Sequence, residues 1–235
     1  MSRASDKTFA AVALGGLAAG LAAAASAYWF VARPWHLRWG ATDEEAARAL
    51  PGDELVPAAK ISSTHAITIR TTPAEVWPWL VQLGQGRGGF YSYDWIEDAM
   101  GLEIHSTDHI LPDCQALKVG DTIPLAPDAF GLPVAILDTE QTLVLHGDTR
   151  LPGGDAMPPL KPGEYLAASW GFYLVGQADG ATRLVERWRA DYTPTVMNAA
   201  FYRVFLEPGA FLMQRKMLLG IKARAEQRSP RPRTR

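Results

Sequence analysis

The sequence predicts an α+β fold in which a curved antiparallel sheet wraps a long C-terminal helix, behind an N-terminal transmembrane helix. Three observations point there. A strand candidate and two short helical segments open the body of the chain. Strand signals joined by short turns then dominate from Asp121 to Ala190, so neighbours in sequence pair antiparallel. Finally Ala210, Met213, Met217, Gly220 and Ile221 share one face at helical spacing. A sheet that must bury one face closes on that last helix.

The size of 235 residues suits one mid-sized domain with an appendage. A hydrophobic share of 48% against 20% charged residues excludes disorder for the bulk of it. The single cysteine, Cys114, excludes a disulfide scaffold and a zinc cluster of several thiolates. A formal net charge of −2 gives no ground for nucleic-acid binding. The charge is uneven, however. Residues 215–235 hold eight basic groups and one acid, Glu226, which leaves a net of −9 elsewhere. Such a terminus attracts anionic headgroups by about 1 kcal/mol per residue near a surface. Residues 227–235 by themselves read as a basic, disordered tail.

Residues 1–33 read as a membrane anchor with a short flank. The 24 residues from Thr8 to Val31 carry no charge, more than the ~20 that cross a bilayer as a helix. Tyr28 and Trp29 sit at the far end, where amphipathic rings favour the headgroup zone. A secretory signal peptide competes, with Arg3 and Lys7 as its charged start and Ala25-Ser26-Ala27 as a cleavage site. Against cleavage, the apolar run continues to Val31 and is followed by Arg33 and Arg38. The expected protein is single-pass, with the domain on the cytoplasmic side on the strength of its basic terminus. Residues 34–61 form a connector in which Thr42-Asp-Glu-Glu45 starts a capped helix.

The domain itself spans 62–226. Its first strand covers His65 to Arg70, with Ile67 and Ile69 on one face. A helix follows through Leu83, with Thr72 as N-cap, Pro73 at N1 and Glu75 at N3 closing a capping box. The glycines of Gly84-Gln-Gly-Arg-Gly-Gly89 stop it, and a second helix covers Tyr93 to Met100. Strands are expected at 121–125, 133–138, 142–146, 166–175 and 182–190, the last two turned at Ala178-Asp-Gly180. A helical piece around 197–206 is separated from the terminal helix by Pro208-Gly209.

This order, together with the run Val76-Trp-Pro-Trp-Leu-Val-Gln-Leu-Gly-Gln-Gly-Arg-Gly-Gly-Phe-Tyr-Ser-Tyr-Asp-Trp-Ile-Glu97, resembles the helix-grip (SRPBCC) superfamily over residues 62–226. That superfamily includes START lipid-transfer domains and polyketide cyclases. The run resembles a bacterial branch with an N-terminal membrane segment. The resemblance implies a hydrophobic cavity between sheet and terminal helix, with the two short helices at its mouth. It implies no particular reaction.

The glycines at 84–89 match G-x-G-x-x-G, but a capped helix precedes them instead of a strand, which excludes a dinucleotide site. No cofactor is expected. Arg87 is either structural or leans over the cavity mouth toward an anionic group. Phe90-Tyr-Ser-Tyr-Asp-Trp95 is dense enough in aromatics to line a pocket; Tyr91, Tyr93 and Trp95, with Trp79 from the preceding helix, are its candidates. Asp94 and Glu97 read as a solvated helix face. Glu103, His105, Asp108 and His109 read as a polar loop, not a metal site, with His105 a candidate general base.

Alternation in Thr182-Arg-Leu-Val-Glu-Arg-Trp-Arg189 puts Leu184, Glu186 and Trp188 toward the cavity and Arg183, Arg187 and Arg189 into water. Glu186 then needs a partner, an arginine or a ligand donor, and is the second catalytic candidate. Trp170 and Phe172 are wall residues in phase with it. Met213 and Met217 face them from the terminal helix.

The leading functional expectation is a membrane-held binding protein for a hydrophobic small molecule or lipid. The alternatives are a cyclase or hydratase acting through Glu186 or His105, and a membrane-tethered interaction module with a filled core. A cavity under ~300 Å³ favours the last of these.

Overall fold

A computed structural model describes residues 16–17, 19–127, 131–152 and 160–228. The chain divides into two compact units, up to Leu37 and from Arg38 onward. In the first, the described residues are helical, with a π-helical turn over Tyr28–Ala32 followed by α1 (Arg33–Leu37). Tyr28 stacks on His36 across that turn. Much of the uncharged run, residues 8–15 and 18, lies outside the described residues. Among those described, no helix is long and apolar enough to cross a membrane.

The second unit holds α2 (Asp43–Ala47), β1 (Ile61–Ile69), α3 (Pro73–Val81), α4 (Asp94–Ala99) and β2 (Thr122–Pro124). There follow β3 (Gly131–Asp138), β4 (Thr142–Asp148), β5 (Leu166–Gly176), β6 (Thr182–Tyr192), α5 (Val196–Ala200) and α6 (Glu207–Arg228). The six strands form one sheet in the order β1-β6-β5-β4-β3-β2, every pair antiparallel. This α+β architecture, a curved sheet and a long C-terminal helix, is compatible with a helix-grip-like fold.

Period-two alternation assigns the faces. Ile69, Leu132, Val134, Leu143, Leu145, Phe172 and Leu184 point to one side, where Met217, Leu218, Ile221 and Ala225 of α6 and Val76, Trp79 and Leu80 of α3 meet them. Each such side chain taken fully from water contributes about 1.5–3 kcal/mol. The buried stripe of α6 thus runs one residue round from the expected one: Leu218 and Ala225 are in it, while Ala210 and Met213 are only half-buried. Gly220 permits a close approach of α6 to Tyr91. A Cβ there would stand 2.4 Å from the Tyr91 carbonyl oxygen.

Two local expectations are corrected. Thr72 caps α3 and Pro73 holds its first turn, but the Thr72 side chain accepts no hydrogen bond, so the capping box is not closed. The closed box is the one on α2, where Thr42 and Glu45 exchange bonds at 3.1 and 2.8 Å. Pro208-Gly209 does not break the terminal helix. A π-helical turn over Phe201–Leu206 joins α5 to α6, and the wider turn just before Pro208 accommodates its missing donor and its ring.

The largest correction concerns the other face of the sheet. The arginines of β6 do not face water, because residues 38–57 lie over them. Leu50, Ala66, Val144, Tyr173 and Val185 form a second apolar cluster there. The Tyr173 hydroxyl donates to the Pro51 carbonyl at 2.6 Å. Arg187 is only 4% exposed. Its guanidinium donates to the carbonyls of Glu45, Ala46 and Arg48 at the C-terminal end of α2, to Asp53 Oδ2 and to Thr64 Oγ1, at 2.7–3.0 Å. A cation there satisfies orphan carbonyls and complements the helix dipole. Arg183 clasps both oxygens of Glu45 at 2.7 and 2.8 Å, which holds that carboxyl down at about 2. Arg189 donates to the Val56 carbonyl.

Candidate functional site

A half-open cavity of about 160 Å³ lies between the sheet and α6. Trp170 of β5 and Phe90 form its floor, Leu125 closes one side, and Met213 and Met217 of α6 stand opposite. Its polar groups are Ser92, Glu97 and Gln214. The walls are almost wholly apolar, so any charge in them is exceptional.

That charge is Glu97. The helix that carries it is inverted relative to a surface helix: Trp95 is 70% exposed, whereas Glu97 is 2% exposed. Among the described residues, Glu97 Oε2 has no hydrogen-bond partner. Burial pushes the Glu97 carboxyl up to about 7; a hydrogen bond from Ser92 pulls against it, Asp94 and Asp98 push the same way as burial, and His105 opposes them. The expectation of a solvated face therefore fails at Glu97. Asp94 is spent on Ser106, whose amide and hydroxyl both donate to it.

Behind the floor lies a second buried polar group. Glu186 is fully buried, as the alternation of β6 requires. The Trp170 indole Nε1 donates to its Oε1 at 2.6 Å, and His65 Nδ1 lies 2.7 Å from its Oε2. His65 and Glu186 are direct cross-strand partners. The partner of the carboxylate is thus a histidine and an indole, not an arginine. The signal was in the sequence: the two-residue period through Ile67 and Ile69 extends back to His65.

The structure brings Trp170, Met213 and Met217 together in the cavity. Glu186 touches it only through Trp170. Phe172 is wholly buried in the core beneath, its ring 5.1 Å from that of Trp170, and the Trp188 ring lies 5.9 Å from it on the other side. Trp79 is in the core, edge-on to Tyr91.

Tyr91 takes a left-handed backbone (φ 56°) and buries its ring. Its hydroxyl donates to the Trp79 carbonyl and accepts from Gln82 Nε2, and burial pushes it above the ordinary phenol range. Tyr93 lies under the Lys216 ammonium, with Trp95 beside it on the surface. Arg87 is structural. Its guanidinium donates to the Val81 and Leu83 carbonyls, which end α3, and to that of Cys114. His105 is not turned to the cavity: its side chain is 72% exposed and 3.8 Å from Asp98.

Sequence reasoning placed Phe90 and Ser92 only within their aromatic run, read Glu97 as solvated, and missed Leu125 and Gln214 altogether. A second hollow, of about 550 Å³, opens between α2 and the outer face of the sheet, but Glu45 and Arg183 within it are bonded to each other. Among the described residues, no group of three His, Cys, Asp or Glu side chains gathers to hold a metal ion.

No family model matches the chain, and no curated protein does. Among solved structures, it is similar to a protein from Mesorhizobium loti at 11% identity, covering 72% of this chain and 100% of that one, with a TM-score of 0.41. A conserved protein from Geobacillus kaustophilus gives 15% identity, 71% and 96% coverage and a TM-score of 0.39. A hypothetical protein from Helicobacter pylori gives 10%, 76% and 96%, and 0.43. At these identities and TM-scores the likenesses leave the function open.

Proposed function

We propose that the chain is a binding protein for a small hydrophobic molecule, held in the cavity between β5 and α6 at a membrane surface. The observation that carries the reading is the cavity itself, an apolar space of about 160 Å³ with a buried, unpartnered carboxyl oxygen in its wall. An apolar cavity of roughly 150 Å³ is enough for one aromatic ring. It is too small for an acyl chain or a polyketide-sized substrate, whose sites run from about 300 Å³ upward. Of the two expected ligand classes the volume therefore supports the small molecule over the lipid. The cyclase alternative loses both of its acid–base candidates, since Glu186 is enclosed and His105 is turned to solvent.

Support for the membrane surface comes from two places. One is the 24-residue uncharged run in the sequence. The other is the outward side of 196–205, where Val196, Met197, Phe201, Val204 and Phe205 are all more than half exposed. Such a face lies readily in the headgroup boundary. The interaction module is the second reading, and the small volume favours it.

Methionine methyl labelling of the full chain separates the two. Six methionines are present, and Met213 and Met217 line the cavity while Met100 and Met197 are exposed. Toluene should shift the first pair and spare the second. A titration that moves neither cavity methionine would leave the filled-core module as the better reading.

A further inference from the structure

The reading of the cavity as a ligand site can be taken one step further, to the chemistry of the ligand. We infer that the cavity selects a compact apolar amine, one ring or a short branched chain carrying an ammonium group, which pairs with Glu97. The inference rests on the proposed binding function and adds the ligand class.

The geometry supports it in four ways. The volume admits one ring and little else. Apolar surface from Phe90, Leu125, Trp170, Met213 and Met217 lines the space such a ring would occupy. Among the described residues, the one ionisable side chain in the lining is a carboxyl, 2% exposed, with an oxygen lacking any partner. A buried carboxylate without a donor is costly, and an incoming N–H⁺ supplies both the donor and the opposite charge. Finally, the aromatic rings of Phe90 and Trp170 in the lining favour a cation over an anion.

The charges around Glu97 agree. Asp94 and Asp98 on its own helix add negative potential. From the loop after α4 His105 opposes them, while the residues that α6 turns toward the cavity among the described residues, Met213, Gln214 and Met217, carry no charge. Lys216 on the same helix is engaged over the Tyr93 ring. The polar neighbours Ser92 and Gln214 offer further acceptors to the remaining ammonium hydrogens. The Ser92 hydroxyl lies 3.5 Å from the Met213 sulfur and also interacts with the Glu97 carboxyl. An anionic ligand of the same shape would meet the carboxylate directly and be repelled.

The test uses three probes of one shape, toluene, benzylamine and benzoate, on the full methyl-labelled chain. The pH is set about one unit above the raised Glu97 value, so that the carboxyl is mostly ionised. Benzylamine should saturate the Met213 and Met217 shifts at a concentration at least about tenfold below that of toluene, the equivalent of about 1.4 kcal/mol. Benzoate should produce no shift at those sites. Glu97→Gln should remove the benzylamine advantage over toluene. If toluene binds but benzylamine gains nothing over it, or if Glu97→Gln keeps the preference, the amine inference is overturned and the binding function stands. If none of the three moves the cavity methionines, the binding function itself fails.

Discussion

Replacing Arg187 by alanine should cost the protein about 3–5 kcal/mol, against the few tenths that a solvated strand arginine would cost. The magnitude follows from what the side chain holds. Its guanidinium supplies five hydrogen bonds, three of them to the carbonyls of Glu45, Ala46 and Arg48 and one to the Asp53 carboxylate. The Asp53 side chain is only 20% exposed, so truncation leaves a mostly buried charge with Arg189 at 3.8 Å as its remaining cation. Leaving one member of a buried pair alone is the expensive case. The partly exposed Arg183, whose partner is Glu45, sets the internal reference at roughly 1–2 kcal/mol. Urea unfolding of the full chain, followed by tryptophan fluorescence, reads both variants. With a slope of about 2 kcal/mol per molar, Arg187→Ala should lower the midpoint by about 2 M. Arg187→Met, which keeps the apolar stem, provides a milder variant should the alanine chain fail to fold. A loss below about 1 kcal/mol for Arg187→Ala, or one equal to that of Arg183→Ala, would refute the role of residues 38–57 as a cover that this arginine ties down.

Two further outcomes are expected. The Glu97 carboxyl is raised from 4.5 to about 7, so the folded state holds a proton that the unfolded state has released between those values. Its contribution is therefore full below pH 4.5 and is lost as pH rises through 7, by up to about 3 kcal/mol, and Glu97→Gln should flatten that slope in stability measured against pH. Glu45 slopes the opposite way, its stabilisation present above 4.5 and lost as pH falls toward 2, so the variant should retain acid sensitivity. Arg87→Ala should lower stability by roughly 1–3 kcal/mol through the three carbonyls it leaves, while the affinity for cavity ligands stays within a factor of two of wild type; a larger loss of affinity would place Arg87 at the site after all.

The sequence alone determined the elements and the phase of the sheet. Glycine and proline punctuation bounded the strands, and a two-residue period put Leu184, Glu186, Phe172 and Trp170 on the core side. These signals are local: they depend on backbone geometry and on neighbours a few residues away. The same locality explains the failure of the Thr72 capping box and the success of the one at Thr42. Both sequences have the residue types, and only side-chain rotation in the folded chain decides whether the bond closes.

Tertiary structure decided everything that needed a second surface. Alternation says that Arg187 lies opposite Glu186, but whether that face is wet depends on a segment more than 120 residues away in sequence. Glu97 read as a solvated carboxylate because a six-residue helix has too few turns to show which side is inward. Only the approach of α6, permitted at Gly220, fixes α4 with Trp95 outside and Glu97 within. The cavity is of the same kind. Its walls come from Phe90, Leu125, Trp170 and Met217, brought together by closure of the sheet on the last helix. Its volume is the small difference between how far those elements approach and how well their side chains fill the gap, and no pattern along the chain records that difference.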